Sequence, residues 1–365
     1  MMLQSKSVLD DIAAMRQLDP SNILQLTADF PVQCCTAYEI GEKFALQGLS
    51  RKRPINNIVL SGLGGSAIGG DMIRILMEEY GDIPMIVNRD YALPGFVGKD
   101  TFVICASYSG GTEETLSAYN QARARNAQIV CVTSGGELAE RANRDGVPVC
   151  TIPGGQPPRT ATGYMFFPML SLLSHLGLFS RSLTKDIEET MKLLADLNKE
   201  YSTDIPTENN PAKQLAIQLD GRIPVIYGSQ GYRGVVALRW KCQFNENAKE
   251  HAFANVFPEQ NHNEILAWKK CRKQAPRWFL VYLRDPSETS TQPRIARRVE
   301  VMKKLAGHTP SYEAWAKGDS LMAKMFSLFY LGDYVSIYAA FLNDMDPTNI
   351  DSISKLKVEM KKLKA

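Results

Sequence analysis

From Asn56 onward the apolar positions of this chain fall into short runs separated by longer stretches in which they recur every three or four residues. The runs lie near 57–61, 84–88, 101–107, 127–133 and 148–152 and read as buried strands, while 66–80, 112–125 and 136–144 read as helices. Such alternation predicts an α/β domain, a mainly parallel sheet covered by helices on both faces. Ahead of it, residues 7–48 read as modestly amphipathic helices broken at Pro20 and Pro31. A polar stretch from Tyr201 to Pro211, with two prolines and many turn formers, reads as a linker or surface loop. A second α/β pattern follows: a strand from Ile223 to Gly228, a helix from Tyr232 to Lys249, a strand from Trp278 to Leu283, and a solvated basic helix over 291–305. A long apolar helix, Ser320 to Leu342, and a basic helical tail from Asn349 to Ala365 complete the chain. The expected division is therefore a helical segment 1–48, one α/β domain 49–200, a linker 201–212, a second α/β domain 213–343 and a tail 344–365.

Composition narrows the class only a little. With 365 residues, 44% hydrophobic and 22% charged, the chain fits an ordinary globular protein of two domains. A net charge of +3, without a long basic tract carrying interleaved aromatics, gives no ground to expect a nucleic-acid partner. The seven cysteines (Cys34, Cys35, Cys105, Cys131, Cys150, Cys242 and Cys271) lack CxxC spacing and predict a reducing compartment rather than a disulfide framework. Asp333 interrupts the apolar region Met325–Leu342, and Pro168 and His175 lie within Met165–Phe179, so both read as core helices rather than membrane spans. The start, Met1 to Asp11, lacks the basic-then-apolar order of a signal peptide, and a cytoplasmic location is the expectation.

The chemistry begins at two strand-to-helix turns, Ser61-Gly62-Leu63-Gly64-Gly65-Ser66 and Ser107-Tyr108-Ser109-Gly110-Gly111-Thr112. Glycine lets backbone approach a ligand, helix N-termini offer unpaired N–H groups, and hydroxyls donate further hydrogen bonds. Neither turn carries the Lys of a Walker-type loop, and neither is a clean dinucleotide fingerprint. Hydroxyl-rich cradles without Lys, at the carboxyl ends of parallel strands, point to a small phosphorylated metabolite.

Further along, Phe244-Asn245-Glu246-Asn247-Ala248-Lys249 sets a carboxylate between two weak helix formers. The Asn side chains either hold a carboxylate or ligand, or simply cap a helix end. Pro258-Glu259-Gln260-Asn261-His262-Asn263-Glu264 is a polar cluster whose histidine is either a proton carrier or a loop residue in water. Arg159, after a Pro-Pro turn, suits either oxyanion stabilisation or a surface ion pair. Lys357 alone reads as solvated. Of four histidines, none forms with Cys or carboxylates a set having metal-ligand spacing.

Taken in order, Ser-Gly-Leu-Gly-Gly-Ser (61–66), Ser-Tyr-Ser-Gly-Gly-Thr (107–112), Pro-Arg (158–159), Phe-Asn-Glu-Asn-Ala-Lys (244–249), Pro-Glu-Gln-Asn-His-Asn (258–263) and the Ile-x-x-Leu-Lys from Ile353 to Lys357 resemble the bifunctional phosphoglucose/phosphomannose isomerases of the sugar isomerase (SIS) superfamily. The first two motifs mark SIS domains generally, and the Asn-Glu-Asn-Ala-Lys and His-Asn stretches are more specific to this branch. The resemblance implies two SIS domains, 49–200 and 213–343, in a homodimer with active sites between subunits. It implies that Ser66, Ser107, Ser109 and Thr112, with the backbone of Gly64 and Gly65, hold the sugar phosphate. It further implies Glu246 as the base moving a proton between C1 and C2, His262 and Lys357 as ring-opening groups, and Arg159 as the enediolate stabiliser. The expected activity is interconversion of glucose 6-phosphate, and of mannose 6-phosphate, with fructose 6-phosphate, without metal or organic cofactor.

One position departs from the family pattern. Some relatives carry Thr three residues before the Ile of the C-terminal motif, a residue associated with room for both C2 epimers; here it is Ile350, with Thr348 nearby, which weakens the expectation of mannose 6-phosphate activity. The competing readings are an SIS-type isomerase of another sugar phosphate, and a non-catalytic phosphosugar sensor. The sensor would leave Glu246, His262 and Lys357 unexplained, and the chain shows no helix-turn-helix-like extension.

Overall fold

The computed structural model describes residues 8–47, 53–270, 273–360 and 362; Cys271 lies outside the described residues. The chain divides into two compact units. One comprises Ala28–Ala195 with Lys317–Ser327, and the other Met1–Thr27, Asp196–Ala316 and Leu328–Ala365. This partition differs from the sequence expectation. The N-terminal helices split between units, and the long apolar helix contributes its start to the first unit and the rest to the second. The expected linker 201–212 is ordered inside the second unit: Asn210 caps the helix Pro211–Leu219 with its side chain, accepting from the backbone N–H of Ala212 and Lys213.

The first unit holds a parallel five-stranded sheet: β1 (Asn57–Ser61), β2 (Met85–Asn88), β3 (Thr101–Ala106), β4 (Gln128–Thr133) and β5 (Val149–Thr151), in the order β2-β1-β3-β4-β5. Strand β3 is buried along its whole length, as a central strand covered on both faces must be. The register pairs Ser61 with Cys105 and Cys105 with Cys131, so the carboxyl ends of β1, β3 and β4 lie side by side. Of the flanking helices, Phe30–Ala45 lies so close to Thr162–His175 that a Cβ on Gly41 would fall 2.6 Å from the Pro168 Cα. Phe166 and Phe167 close the core against Phe326, with ring centroids 5.1 and 5.6 Å away.

The second unit holds a four-stranded parallel sheet: β6 (Ile223–Ser229), β7 (Phe253–Phe257), β8 (Trp278–Arg284) and β9 (Ser311–Trp315), in the order β7-β6-β8-β9. The pattern predicted β6 and β8; β7 and β9 are the two edges. Edge strands have one open side, and these two carry polar residues at Asn255, Ser311 and Glu313.

Among the described residues one helix, Leu321–Leu342, is long and apolar enough to cross a membrane, but 94% of its most apolar window is buried within the chain. It has no polar stripe because it is surrounded. Tyr330, Tyr334 and Tyr338 form a fully buried column along it, and each hydroxyl finds an acceptor: Thr27 O at 2.8 Å, Asn198 Oδ1 at 2.6 Å and Tyr201 O at 2.6 Å, respectively. Six cysteines lie among the described residues, and none is in a disulfide.

Candidate active site

In the first unit the two hydroxyl-rich turns meet as neighbours because β1 and β3 are adjacent in the sheet. The backbone N–H of Tyr108 donates to Ser66 Oγ at 3.3 Å, which ties one turn to the other. Ser107 Oγ lies 2.9 Å from Thr112 Oγ1 and accepts from the Gly110 N–H at 3.1 Å. Ser66 and Ser107 are buried at 5% and 2% exposure, whereas Ser109 is exposed and accepts from the Gly111 N–H at 3.4 Å. Leu63 supplies no side-chain cap to the helix Gly64–Tyr80, and an uncapped helix N-terminus favours an anion. Thr112 likewise makes no cap to the helix Glu113–Ala124.

Gly65 is where the Arg159 turn comes closest: a Cβ there would stand 2.7 Å from the Pro158 carbonyl oxygen. Arg159, the next residue of that turn, is buried at 3% exposure rather than lying on the surface. Its turn is fastened by buried Gln33, whose Nε2 donates to Thr160 O at 2.9 Å and whose Oε1 accepts from the Gly163 N–H at 3.0 Å. Burial holds the Tyr108 phenol above its ordinary pKa, so it stays un-ionised while its hydroxyl oxygen accepts from the Gln156 N–H at 3.3 Å.

A third turn, Thr133-Ser134-Gly135-Gly136 at the end of β4, supports the second. Ser134 Oγ donates to Tyr108 O at 2.7 Å, and the Leu138 N–H donates to Gly110 O at 2.8 Å. Gly110 has φ +68°, and a Cβ on it would fall 1.8 Å from Gly135 O, so only glycine fits. Hydroxyls followed by a Gly pair after an apolar run were the available sequence signal for this turn.

In the second unit the helix Tyr232–Gln243 stops short of the expected Lys249. It passes into a π-helical turn, Phe244–Ala248, and ends at Lys249 in the left-handed region with φ +58°. Wide turns of this kind often accompany functional positions. The two flanking amides each make a fastening hydrogen bond. Asn245 Nδ2 donates to Glu250 O at 2.7 Å and buried Asn247 Nδ2 donates to Ser336 Oγ at 2.9 Å, so both fasten the turn that carries Glu246. Lys249 Nζ donates to Glu246 O at 2.5 Å and to Pro347 O at 3.2 Å, linking the turn to the C-terminal segment.

Half-buried Glu246 opens onto a cavity of about 620 Å³ whose opposite wall is Met345, Asp346 and Asn349 to Ile353. That volume suits a small-molecule ligand. The wall includes Ile350 and Ile353 but neither His262 nor Lys357. His262 is exposed at the end of a short 3-10 turn, Glu259–His262, beyond β7. Lys357 is exposed on the helix Asp351–Met360, which buries no residue. Within the units, the structure thus groups Gly64, Gly65, Ser66, Ser107, Ser109, Thr112 and Arg159 in one, and sets Glu246 against the C-terminal segment in the other. Among the described residues no group of three or more His, Cys, Asp or Glu side chains could hold a metal ion.

Comparison with known proteins bears on this arrangement. Residues 53–148 match the SIS domain, and residues 208–360 match the bacterial phospho-glucose isomerase C-terminal SIS domain. The bifunctional phosphoglucose/phosphomannose isomerase of Caldicellulosiruptor bescii is 44% identical over 92% of this chain and 98% of its own length. The enzyme of the same name from Thermoplasma acidophilum is 40% identical over 87% of this chain and 93% of its own length. A hypothetical protein from Thermus thermophilus has the same fold, with a TM-score of 0.73 at 15% identity over 99% of this chain and 95% of that one. Two parallel-sheet SIS domains, and identity of this extent to relatives spanned nearly end to end, place the chain in the bifunctional phosphoglucose/phosphomannose isomerase family.

Proposed function

We propose that the protein interconverts glucose 6-phosphate, and mannose 6-phosphate as a second substrate, with fructose 6-phosphate through an enediolate. Ser66, Ser107, Ser109 and Thr112, with the amides of Gly64 and Gly65, take the phosphate. Glu246 removes the proton at C2 of the open aldose and returns it to C1, general base and then general acid in one cycle. Arg159 stabilises the enediolate oxygens; a guanidinium cannot lose its proton, so it does this without quenching the intermediate. His262 and Lys357 move the protons of ring opening. Because both stand outside the wall of the Glu246 cavity, we assign the complete site to a homodimer in which a second copy supplies His262. The six described cysteines outside any disulfide fit a reducing, cytoplasmic setting.

The observation that carries this reading is the pairing of motif and cavity: a carboxylate on a wide, side-chain-fastened turn, facing a space sized for a small metabolite. A coupled assay with both hexose 6-phosphates on the purified protein tests it. Turnover of glucose 6-phosphate is expected, with slower turnover of mannose 6-phosphate because Ile350, not Thr, lines the cavity. Activity is expected to survive exhaustive chelation; loss of activity restored by zinc would contradict the scheme.

A further inference from the structure

Asp333 and Ser336 are buried polar residues in a helix built mostly of apolar and aromatic side chains, at 7% and 0% exposure. One turn apart, they share a helix face. The Asp333 carboxylate accepts from Arg239 Nε at 3.1 Å and Nη2 at 3.0 Å, and from Gln243 Nε2 at 2.9 Å. Ser336 Oγ accepts from Asn247 Nδ2 at 2.9 Å and donates to Asp333 O at 2.9 Å. The two contacts therefore grip residue 243, just before the π-helical turn, and residue 247, just after Glu246. Trp240 Nε1 adds a third tie upstream, donating to Leu328 O at 2.8 Å. A turn with i→i+5 bonding is looser than an α-helix, and its direction depends on such side-chain ties.

We propose that Asp333 and Ser336 are positioning residues that set the aim of the Glu246 carboxylate by clamping both ends of its turn. The proposal rests on the reading of Glu246 as the base. Burying polar groups in an apolar helix is unfavourable unless they are satisfied. Here the side-chain partners Arg239, Gln243 and Asn247 all lie in the segment leading into and through the turn that carries Glu246. Substrate binding through the phosphate cradle does not involve this clamp, so its loss acts on proton transfer and not on affinity.

The test is Ser336→Ala, measured with glucose 6-phosphate carrying hydrogen or deuterium at C2. The expected result is a kcat lower by about tenfold, KM within about twofold of the parent, and a larger deuterium isotope effect on kcat, because a misaimed base slows the proton step itself. Ser336→Thr, which restores the hydroxyl, is expected to recover most of the rate. Gln243→Met examines the other grip and keeps the question open to refutation should Ser336→Ala fail to fold. Parental kcat in Ser336→Ala, or a lower kcat with an unchanged isotope effect and a matching loss of folded protein, would overturn the proposal. Glu246→Gln run alongside separates the two ideas: full activity there removes the base and the clamp's purpose with it, whereas an inactive Glu246→Gln beside a normal Ser336→Ala overturns the clamp alone.

Discussion

At the scale of single residues, the cradle depends on hydroxyls held by one another and on glycines that cannot be replaced. Ser107 is engaged by Thr112 and by the Gly110 amide, so its oxygen is oriented before any ligand arrives. Ser107→Ala is expected to raise KM for a hexose 6-phosphate by about tenfold or more, since a hydrogen bond to a charged group contributes roughly 1.5–3 kcal/mol; steady-state kinetics will show it. Gly110→Ala combines a left-handed φ with a backbone clash against Gly135. It is expected to destabilise the first unit by about 2 kcal/mol or more, read as a lower midpoint in urea. Glu250 offers a pH test. Burial, aided by the nearby charge of Asp220, holds its carboxyl above the usual range despite a hydrogen bond with Asn343. The folded chain then binds a proton more tightly than the unfolded one, so Glu250 destabilises at neutral pH, and that penalty disappears as pH falls below the unfolded value of about 4.3. Glu250→Gln should therefore be more stable than the parent at pH 7, with the advantage gone near pH 4. Thermal unfolding at the two pH values decides this, and an equal advantage at both would contradict it.

At the scale of elements, legibility tracked burial. Strands β1 to β5 and β6 and β8 were readable because covered strands become short apolar runs, and each observed strand falls within a residue or two of its predicted span. β7 and β9 were not: their residues, Phe-Ala-Asn-Val-Phe and Ser-Tyr-Glu-Ala-Trp, are interrupted by Asn255 and by Ser311 and Glu313 and give no continuous apolar run. The apolar spacing carries the helix from Tyr232 on to Lys249, but helical spacing cannot distinguish i→i+4 from i→i+5 bonding, and what shifts the pattern is Asn247 reaching Ser336, 89 positions away. Glu246 itself was legible from its two Asn neighbours, which also fasten the turn. Of the wall facing it, Ile350 and Ile353 were legible through the family's C-terminal motif, whereas Met345, Asp346 and Asn349 were not. Asp333 marked the long helix as a core element in the sequence, and its partners Arg239 and Gln243 explain why a carboxylate is tolerated there.

At the scale of the whole molecule, the same parallel-sheet fold appears twice. The sheet β2-β1-β3-β4-β5 ends in hydroxyl- and glycine-lined turns, and the sheet β7-β6-β8-β9 supports a carboxylate on a wide turn. The first turns lie beyond the carboxyl ends of their strands, where such sheets commonly bind ligands. The exposed His262 and the helix Asp351–Met360, which buries nothing and carries Ile353, Leu356 and Met360 outward, fit a molecule whose site is completed by a second copy. Sedimentation is expected to give twice the mass of one chain, and a strict monomer with full activity would contradict the shared site. The central claim, that Glu246 carries the proton between adjacent sugar carbons, is tested most directly by following glucose 6-phosphate in deuterated water by NMR, with parent protein and Glu246→Gln side by side. The account predicts fructose 6-phosphate with solvent deuterium partly incorporated at C1 for the parent, and a rate lower by about a thousandfold for the variant. Equal turnover by the two proteins would contradict it.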